Sequence, residues 1–207
     1  YPDNLPIVGC CHRCNNGFSG DEEYVACLIE AAVAGSIEEN RMNRKSVIKT
    51  LARNHSLRKY IEAAMFEENG RRYFRFDPKR VDNVMMKLAR GHAAFETSRQ
   101  CMNDPSHYWC SPLTVLDEDT KDLFNTFYQV SLLGEIGSRG TQRVQCMEVT
   151  LKSESGELKK IHLLINDWVE VQEGRYRYLA VEDAGGVLVR IVLSEYLACE
   201  VCWQEDG

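Results

Sequence analysis

The sequence lacks any long apolar run and any leader-like segment. None of its apolar stretches approaches the roughly 18–20 residues that cross a bilayer, and no cationic, apolar and small-residue succession opens the chain. It also contains no internal repeat and no low-complexity segment. These absences argue against a membrane protein and a repeat array, and they favour an ordinary globular chain.

The nine cysteines lack the even number and the regular spacing of a disulfide framework. Secreted disulfide scaffolds are usually shorter and richer in cysteine, so the sequence predicts a reduced, cytoplasmic protein. Four cysteines have no cysteine partner nearby in sequence and are expected to be small apolar core residues. They are Cys27, Cys101, Cys110 and Cys146.

Acidic residues outnumber basic ones overall, but one basic stretch contains no acidic residue. The 207 residues carry a formal net charge of −6 and are 44% hydrophobic, enough for the core of one large domain or two small ones. Between Arg41 and Tyr60 there are seven Lys or Arg residues and no Asp or Glu. A nucleic-acid binder can be acidic overall when the phosphates meet only such a basic part.

Hydrophobic periodicity predicts helices over the first two thirds of the chain. One helix is expected to begin at Ser19, where Ser19 and Glu22 form a capping box, and to end at Gly35. Further helices are expected at about 43–53, 56–68, 78–97 and 118–133, with a strand at 71–76 and a loop at 98–116.

Past Gly140 the hydrophobic period changes to two. This alternation predicts strands at 144–151, 159–165, 176–181, 187–193 and 197–203, separated by Gly-containing turns. The expected fold class is α+β, with a helical middle and a C-terminal antiparallel sheet or partial barrel.

Cys11 and Cys14 form a pattern typical of a zinc-binding turn. They are three residues apart and bracketed by Gly9 and Gly17, and a tight turn of this kind aims both sulfurs at one ion. A zinc ion held there would fix the start of the helix that follows.

A second pair, Cys199 and Cys202, has the same spacing but lies in a predicted strand. Residues three apart in a strand point to opposite faces unless a bulge intervenes. Two separate sheet cysteines are the preferred interpretation. The alternative is that this pair completes a four-cysteine zinc site with Cys11 and Cys14.

Several motifs together resemble a branch of bacterial HNH endonucleases. They are Asn-Leu at 4–5, Cys-x-x-Cys-Asn at 11–15, Ser-Gly-Asp-Glu-Glu-Tyr at 19–24 and, less closely, Lys-Leu-Ala-Arg-Gly-His at 87–92. The resemblance implies a ββα-metal module, in which two strands and a helix hold one catalytic divalent metal ion such as Mg²⁺. It also implies structural Zn²⁺.

The resemblance assigns roles to individual side chains. Asn4 corresponds to the Asn that orients the catalytic His, and Asn15 to the final His or Asn that binds the catalytic metal. The expected metal-binding side chains are Cys11, Cys14, Asp21 and Glu22. Asp21 and Glu22 would lie at the positive end of a helix. The other interpretation is that they do not bind metal and only stabilise the start of that helix.

The general-base His of the family and its first Cys-x-x-Cys lie upstream of the Asn-Leu motif, and nothing before Asn4 can supply them here. Either the parent protein continues upstream of Tyr1, which the missing initiator Met favours, or the motif has decayed into a scaffold. The isolated chain is therefore expected to cleave nucleic acid poorly or not at all.

The basic stretch is the expected contact with nucleic acid. Arg44, Lys45, Lys49 and Arg53 can share one side of a helix, spaced to meet several phosphates of a duplex. A solvated face would usually include Glu partners, and this one has none, although a plain solvated face remains the alternative. Arg90 is a further candidate contact.

These observations divide the chain into a truncated HNH-like module at 1–35, a helical region at 36–138 and an antiparallel β subdomain at 139–207. The expected function is metal-dependent hydrolysis of nucleic-acid phosphodiester bonds, DNA in the first place. A protein partner or a missing N-terminal segment would accompany it, and no membrane is involved. The alternative is a non-catalytic, zinc-stapled module that binds nucleic acid or protein.

Overall fold

The structure, a computed structural model, describes residues 8–9, 12–153 and 155–204, and describes the backbone alone at residues 12–16 and 71. Within these residues the α-helices are α1 (His12–Ala34), α2 (Lys45–Arg53), α3 (His55–Ala64), α4 (Pro78–Thr97), α5 (Glu118–Asn125) and α6 (Arg139–Arg143), with a 3-10 helix at Leu113–Val115. No described helix is long and apolar enough to cross a membrane.

The described strands form a hairpin and two antiparallel sheets. The hairpin is β1 (Met65–Glu68) with β2 (Arg71–Phe74). The five-stranded sheet has the order β3 (His107–Pro112), β10 (Leu197–Trp203), β9 (Gly186–Leu193), β8 (Tyr176–Asp183), β7 (Val169–Gln172). The three-stranded sheet has the order β4 (Tyr128–Gln129), β6 (Leu158–Asn166), β5 (Gln145–Lys152). The predicted α+β class, with helices first and an antiparallel C-terminal sheet, is confirmed.

Helix α4 positions the other helices on the sheet. Its Asp77 N-cap accepts the Arg80 N–H and Pro78 opens its first turn, while Val81, Val84 and Met85 are buried at helical spacing. It packs on β8, β9 and β10, and α1 packs on α4, with α2 and α3 against α1. A second, smaller core under α5 covers the opposite face of the sheet.

The predicted helix start at Ser19 is wrong. Helix α1 begins at His12, so Ser19 and Gly20 lie inside it, and the predicted tight turn through His12–Gly17 is helical. A contact with α4 favours the extension, because the ring of Phe18 lies 5.0 Å from the Lys87 ammonium. The predicted end is confirmed: Gly35 has φ +60°, and Ser36 N–H bonds to the Ala31 carbonyl at 3.1 Å.

The predicted helix at 56–68 is too long. Helix α3 ends at Ala64, and Met65–Glu68 pairs with Arg71–Phe74 as a hairpin. Asn69 and Gly70 form its turn with φ of 53° and 72°. An Asn-Gly turn with both φ values positive matches the twist of two antiparallel strands, and this signal overrides the helical period before it.

Two further predictions fail because of strand pairing over long sequence separations. The predicted loop at 98–116 contains β3, which pairs with β10. The predicted helix at 118–133 ends at Asn125, because Tyr128–Gln129 pairs with Ile165 and Asn166 of β6. Neither pairing is visible in the local sequence pattern.

The unpaired cysteines do not all lie in the core. Cys27 is buried, and Cys101 and Cys110 are half-buried, but Cys146 is exposed on β5, so its predicted core position is wrong. Strand β5 presents it on the polar face of a sheet that is open to solvent. The prediction for Cys199 and Cys202 is confirmed, because β10 pairs without a bulge and places them on opposite faces.

Polar side chains of α4 are buried against β8. The ring of His92 stacks on Tyr178 with centroids 3.7 Å apart, and its Nε2 contacts the Tyr176 hydroxyl. Tyr178 donates to Glu96 at 2.5 Å, and Arg143 donates to the same carboxylate at 3.2 Å. Because each oxygen of Glu96 has a donor, its burial is compensated.

Candidate nucleic-acid interface

Helix α2 has one buried side and one basic side. Val47 and Leu51 are buried, four residues apart, whereas Lys45, Lys49 and Arg53 are exposed at the same spacing. An α-helix rises about 1.5 Å per residue, so these three cations follow one another at intervals of about 6 Å. We call Lys45, Lys49 and Arg53 the basic stripe.

A buried carboxylate holds α2 in place on α1. Glu30, only 7% exposed, accepts the backbone N–H groups of Asn43 at 2.6 Å and of Arg44 at 2.9 Å. Arg44 is the N-cap of α2 and its own side chain does not cap the helix. The negative charge of Glu30 therefore stabilises the positive N-terminal end of α2. The side chain of Arg44 is half-exposed and lies beside the stripe.

The basic stripe leads to a cleft. At its end, Arg53 lies 3.6 Å from Glu23 of α1, and its side chain is 81% exposed. Glu23 lines an open cleft of about 310 Å³ between α1, α3 and the start of α4. The other lining residues are Gly20, Asn54, Ser56, Leu57, Tyr60 and Arg80.

Positive charge is concentrated in this part of the chain. Residues 41–80 contain twelve Lys or Arg and four Asp or Glu, a net charge of +8, although the whole chain carries −6. These residues include α2, α3, the hairpin and the start of α4. A polyanion would therefore be attracted to these residues more than to the rest of the chain, whose net charge is −14 (−6 minus +8).

Asp21 and Glu22 point from α1 to cations of α4. Asp21 accepts from Arg80 Nε and from Asn83 Nδ2, both at 2.7 Å, and Glu22 lies 2.6 Å from Lys87 Nζ. The Asn83 and Arg80 hydrogen bonds hold the pKa of Asp21 below its usual value. Both carboxylates thus lie well inside α1 and bind it to α4, and this arrangement does not fit a divalent metal ion.

The remaining metal-binding predictions concern residues at the start of the chain. Asn4 and Cys11 lie outside the described residues, and Cys14 and Asn15 lie in the first turn of α1, where only the backbone is described. In the described part of the chain, no three His, Cys, Asp or Glu side chains are grouped to hold a metal ion. The zinc and catalytic-metal assignments of these four residues stay predictions.

Arg90 is engaged within the fold. Its guanidinium donates to the backbone carbonyls of Cys101 and Met102 at 3.1 Å and of Asn103 at 3.4 Å. These bonds fasten the chain after α4 to the helix. We therefore place the interface on the basic stripe and the cleft rather than at Arg90.

Two groups of residues near this surface were not predicted as functional from the sequence, although a strand at 71–76 was predicted. One is the lining of the cleft, which depends on how α1 and α3 pack. The other is the outward face of the β1–β2 hairpin, with Phe66, Tyr73 and Arg75. The Asn69-Gly70 turn between alternating residues was the available signal for the hairpin.

Comparison with protein-family models, with curated proteins and with solved structures found no match to this chain.

Proposed function

We propose that this chain binds nucleic acid through the basic stripe of α2 and the adjoining cleft, as the phosphate-contacting part of an HNH-type, metal-dependent endonuclease. The observation that carries the proposal is the stripe itself: Lys45, Lys49 and Arg53 are exposed along one side of a helix that Glu30 fixes in place.

The spacing and the setting of these cations suit a phosphate backbone. Intervals of about 6 Å along a helix are close to the distance between successive phosphates of one strand, and each neutralised phosphate releases counterions. No described acid accepts from Lys45 or Lys49, and Asp21 and Glu22 of α1 pair with cations of α4, whereas Arg53 lies 3.6 Å from Glu23 of α1. Lys45 and Lys49 are therefore available to an external anion, and an anion at Arg53 would compete with Glu23.

The endonuclease part of the proposal rests on the resemblance of residues 2–35 to the HNH family. Because the described carboxylates do not fit a metal ion, we derive no hydrolytic step from them. We expect these 207 residues alone to cleave nucleic acid poorly or not at all. A cytoplasmic location belongs to the same proposal, because the number and spacing of the cysteines do not fit a disulfide framework. The second candidate is a non-catalytic module that uses the same stripe for binding only.

Charge reversal on the stripe tests the binding. Lys45→Glu with Lys49→Glu should weaken binding of a short labelled DNA duplex by about tenfold or more at roughly 0.1 M salt. It should also lower the slope of log K against log salt by about 2. Fluorescence anisotropy over a salt series measures both quantities.

A matched variant controls for the change in net charge. Lys152→Glu with Lys159→Glu changes the charge by the same amount at exposed positions of the β5–β6 hairpin. We expect this variant to bind almost as well as the wild type. An equal loss of DNA affinity in the two variants would attribute binding to overall charge and contradict the proposal that the stripe binds the phosphates. Robust Mg²⁺-dependent plasmid cleavage by the isolated chain would contradict the expected poor or absent cleavage.

A further inference from the structure

The two faces of the β1–β2 hairpin differ in what they contact. Phe66 pairs directly with Tyr73, and the Arg75 N–H continues the ladder to the Ala64 carbonyl at 2.8 Å. Because directly opposed residues and residues two apart share a face, Phe66, Tyr73 and Arg75 lie on one side of the hairpin. Phe74 and Arg72 lie on the other side.

The side with Phe74 and Arg72 holds the hairpin against the helices. Phe74 packs at the margin of the main core, and Arg72 donates from Nη1 to the Gly35 carbonyl at 3.2 Å. The hairpin is thus fastened to the end of α1. Its opposite side faces away from the core.

The outward side carries an aromatic stack. The rings of Phe66 and Tyr73 are stacked with centroids 5.4 Å apart and planes 25° from parallel, and the Arg75 guanidinium lies 5.2 Å over the Phe66 ring. Tyr73 remains 41% exposed. We call Phe66, Tyr73 and Arg75 the stacking platform.

We propose that the stacking platform binds an unpaired nucleobase, which extends the stack at Tyr73. This proposal rests on the nucleic-acid binding proposed above and adds to it a substrate class: nucleic acid with a single-stranded segment. Proteins that bind single strands combine a basic track for the backbone with exposed aromatic rings for the bases. The chain has both features between residues 41 and 80, where the net charge is +8.

The charge of this part of the chain favours a nucleic acid as the partner of the platform. Residues 41–80 carry a net charge of +8, and Arg75 is exposed on the same side of the hairpin as Tyr73. A nucleotide offers a flat base to the Tyr73 ring and a phosphate to a nearby cation, so it suits both kinds of group.

The test compares a single strand with its duplex. A short oligonucleotide carrying one 2-aminopurine is titrated with the protein, alone and annealed to its complement, and both affinity and emission are followed. Tyr73→Ala should weaken single-strand binding about tenfold, and more if several bases stack, and should abolish quenching of the 2-aminopurine. Duplex affinity should change less than about twofold, because paired bases are not available for stacking.

Two variants control the interpretation. Tyr73→Phe keeps the ring and should bind the single strand like the wild type. Leu123→Ala removes an exposed apolar side chain, 71% exposed, from α5 on the far side of the sheet and should have no effect. Thermal melting checks that all variants are folded.

The outcomes separate this proposal from the one on which it rests. Unchanged single-strand affinity and quenching in Tyr73→Ala, with duplex binding that still depends on Lys45 and Lys49, overturns the platform alone. Binding of neither single strand nor duplex by the wild type overturns both proposals. Selective loss of the single strand in Tyr73→Ala, restored in Tyr73→Phe, supports the platform.

Discussion

At the scale of single residues, His92 is an ionisable side chain buried between α4 and the sheet. It is 4% exposed, and in the described part of the chain its Nδ1 is buried without a hydrogen-bond partner. The groups that face it are the hydroxyl of Tyr176 and the ring of Tyr178, with Glu96 and Arg143 paired beyond them. Burial lowers the pKa of His92 to about 3, because a charged imidazole has no compensating acid in contact with it.

His92 should therefore make the fold sensitive to acid. The unfolded chain binds a proton at an ordinary His pKa of 6.5, and the folded chain only near 3. Stability is thus lost as the pH falls through this window, by up to about 1.4 kcal/mol per pH unit. Urea unfolding between pH 7.5 and 4.5 measures this loss.

His92→Gln removes the titrating group and isolates its contribution. The variant should show a flatter pH dependence than the wild type, while the carboxylates common to both chains cancel in the difference. The same slope in both proteins would mean that His92 is protonated inside the fold.

At the scale of elements, α1 and the β1–β2 hairpin show how tertiary contacts and local turn signals compete. In α1, Ser19 and Glu22 match a helix start, but Asp21 and Glu22 pair with α4 and the helix begins at His12. In the hairpin, the local Asn-Gly turn prevails over the helical period of the preceding residues. Which signal prevails depends on the contacts that the protein would lose if the segment adopted the other conformation.

Two glycine substitutions should move stability in opposite directions. Gly17 lies inside α1 with open space around it, so Gly17→Ala should stabilise the fold by about 0.5–1 kcal/mol. Gly70 has φ +72°, so Gly70→Ala should destabilise by about 1–2 kcal/mol. Chemical denaturation measures both values. A stabilised Gly70→Ala would contradict the turn, and a destabilised Gly17→Ala would contradict the helix at residue 17.

At the scale of the whole molecule, one core joins the helices to the sheet. Its buried residues run from Tyr24 in α1 through Met85 in α4 to Trp203 in β10. Cys199 lies in this core, fully buried and opposite Cys110 of β3, whereas Cys202 lies on the other face of β10. The hydrogen bond with Cys110 and, after it, burial raise the pKa of the Cys199 thiol, which disfavours the thiolate that zinc requires.

Zinc bound by the purified chain should therefore not depend on β10. We expect Cys202→Ser to retain the zinc content of the wild type, and Cys11→Ser with Cys14→Ser to lose it. Metal analysis per chain gives the result directly. Loss of zinc in Cys202→Ser would revive the four-cysteine site, and about half a zinc per wild-type chain would indicate one site shared by two chains.

How well each feature could be predicted depended on how far apart in sequence its interacting residues lie. The start of α4 could be predicted from Asp77 and Pro78, and the C-terminal strands other than β7 from their alternation, because caps and periods are local. Strands β3 and β4 could not, since each is defined by partners far along the chain. For the candidate interface, the sequence identified the stripe on α2, but the cleft and the pairing of Asp21 with Arg80 depend on how separate helices pack.

The sequence by itself determined the α+β class, the order of helices before strands and the concentration of positive charge after residue 40, because period and composition can be read without knowing the partners of any residue. Only the tertiary structure decided that Asp21 and Glu22 bind cations of α4 and that Arg90 donates to backbone carbonyls. It also decided that Phe66 and Tyr73 stack on each other on the outer side of the hairpin. The physical reason is that hydrogen bonds, ion pairs and ring contacts act over a few ångströms, and chain folding alone sets which groups come that close.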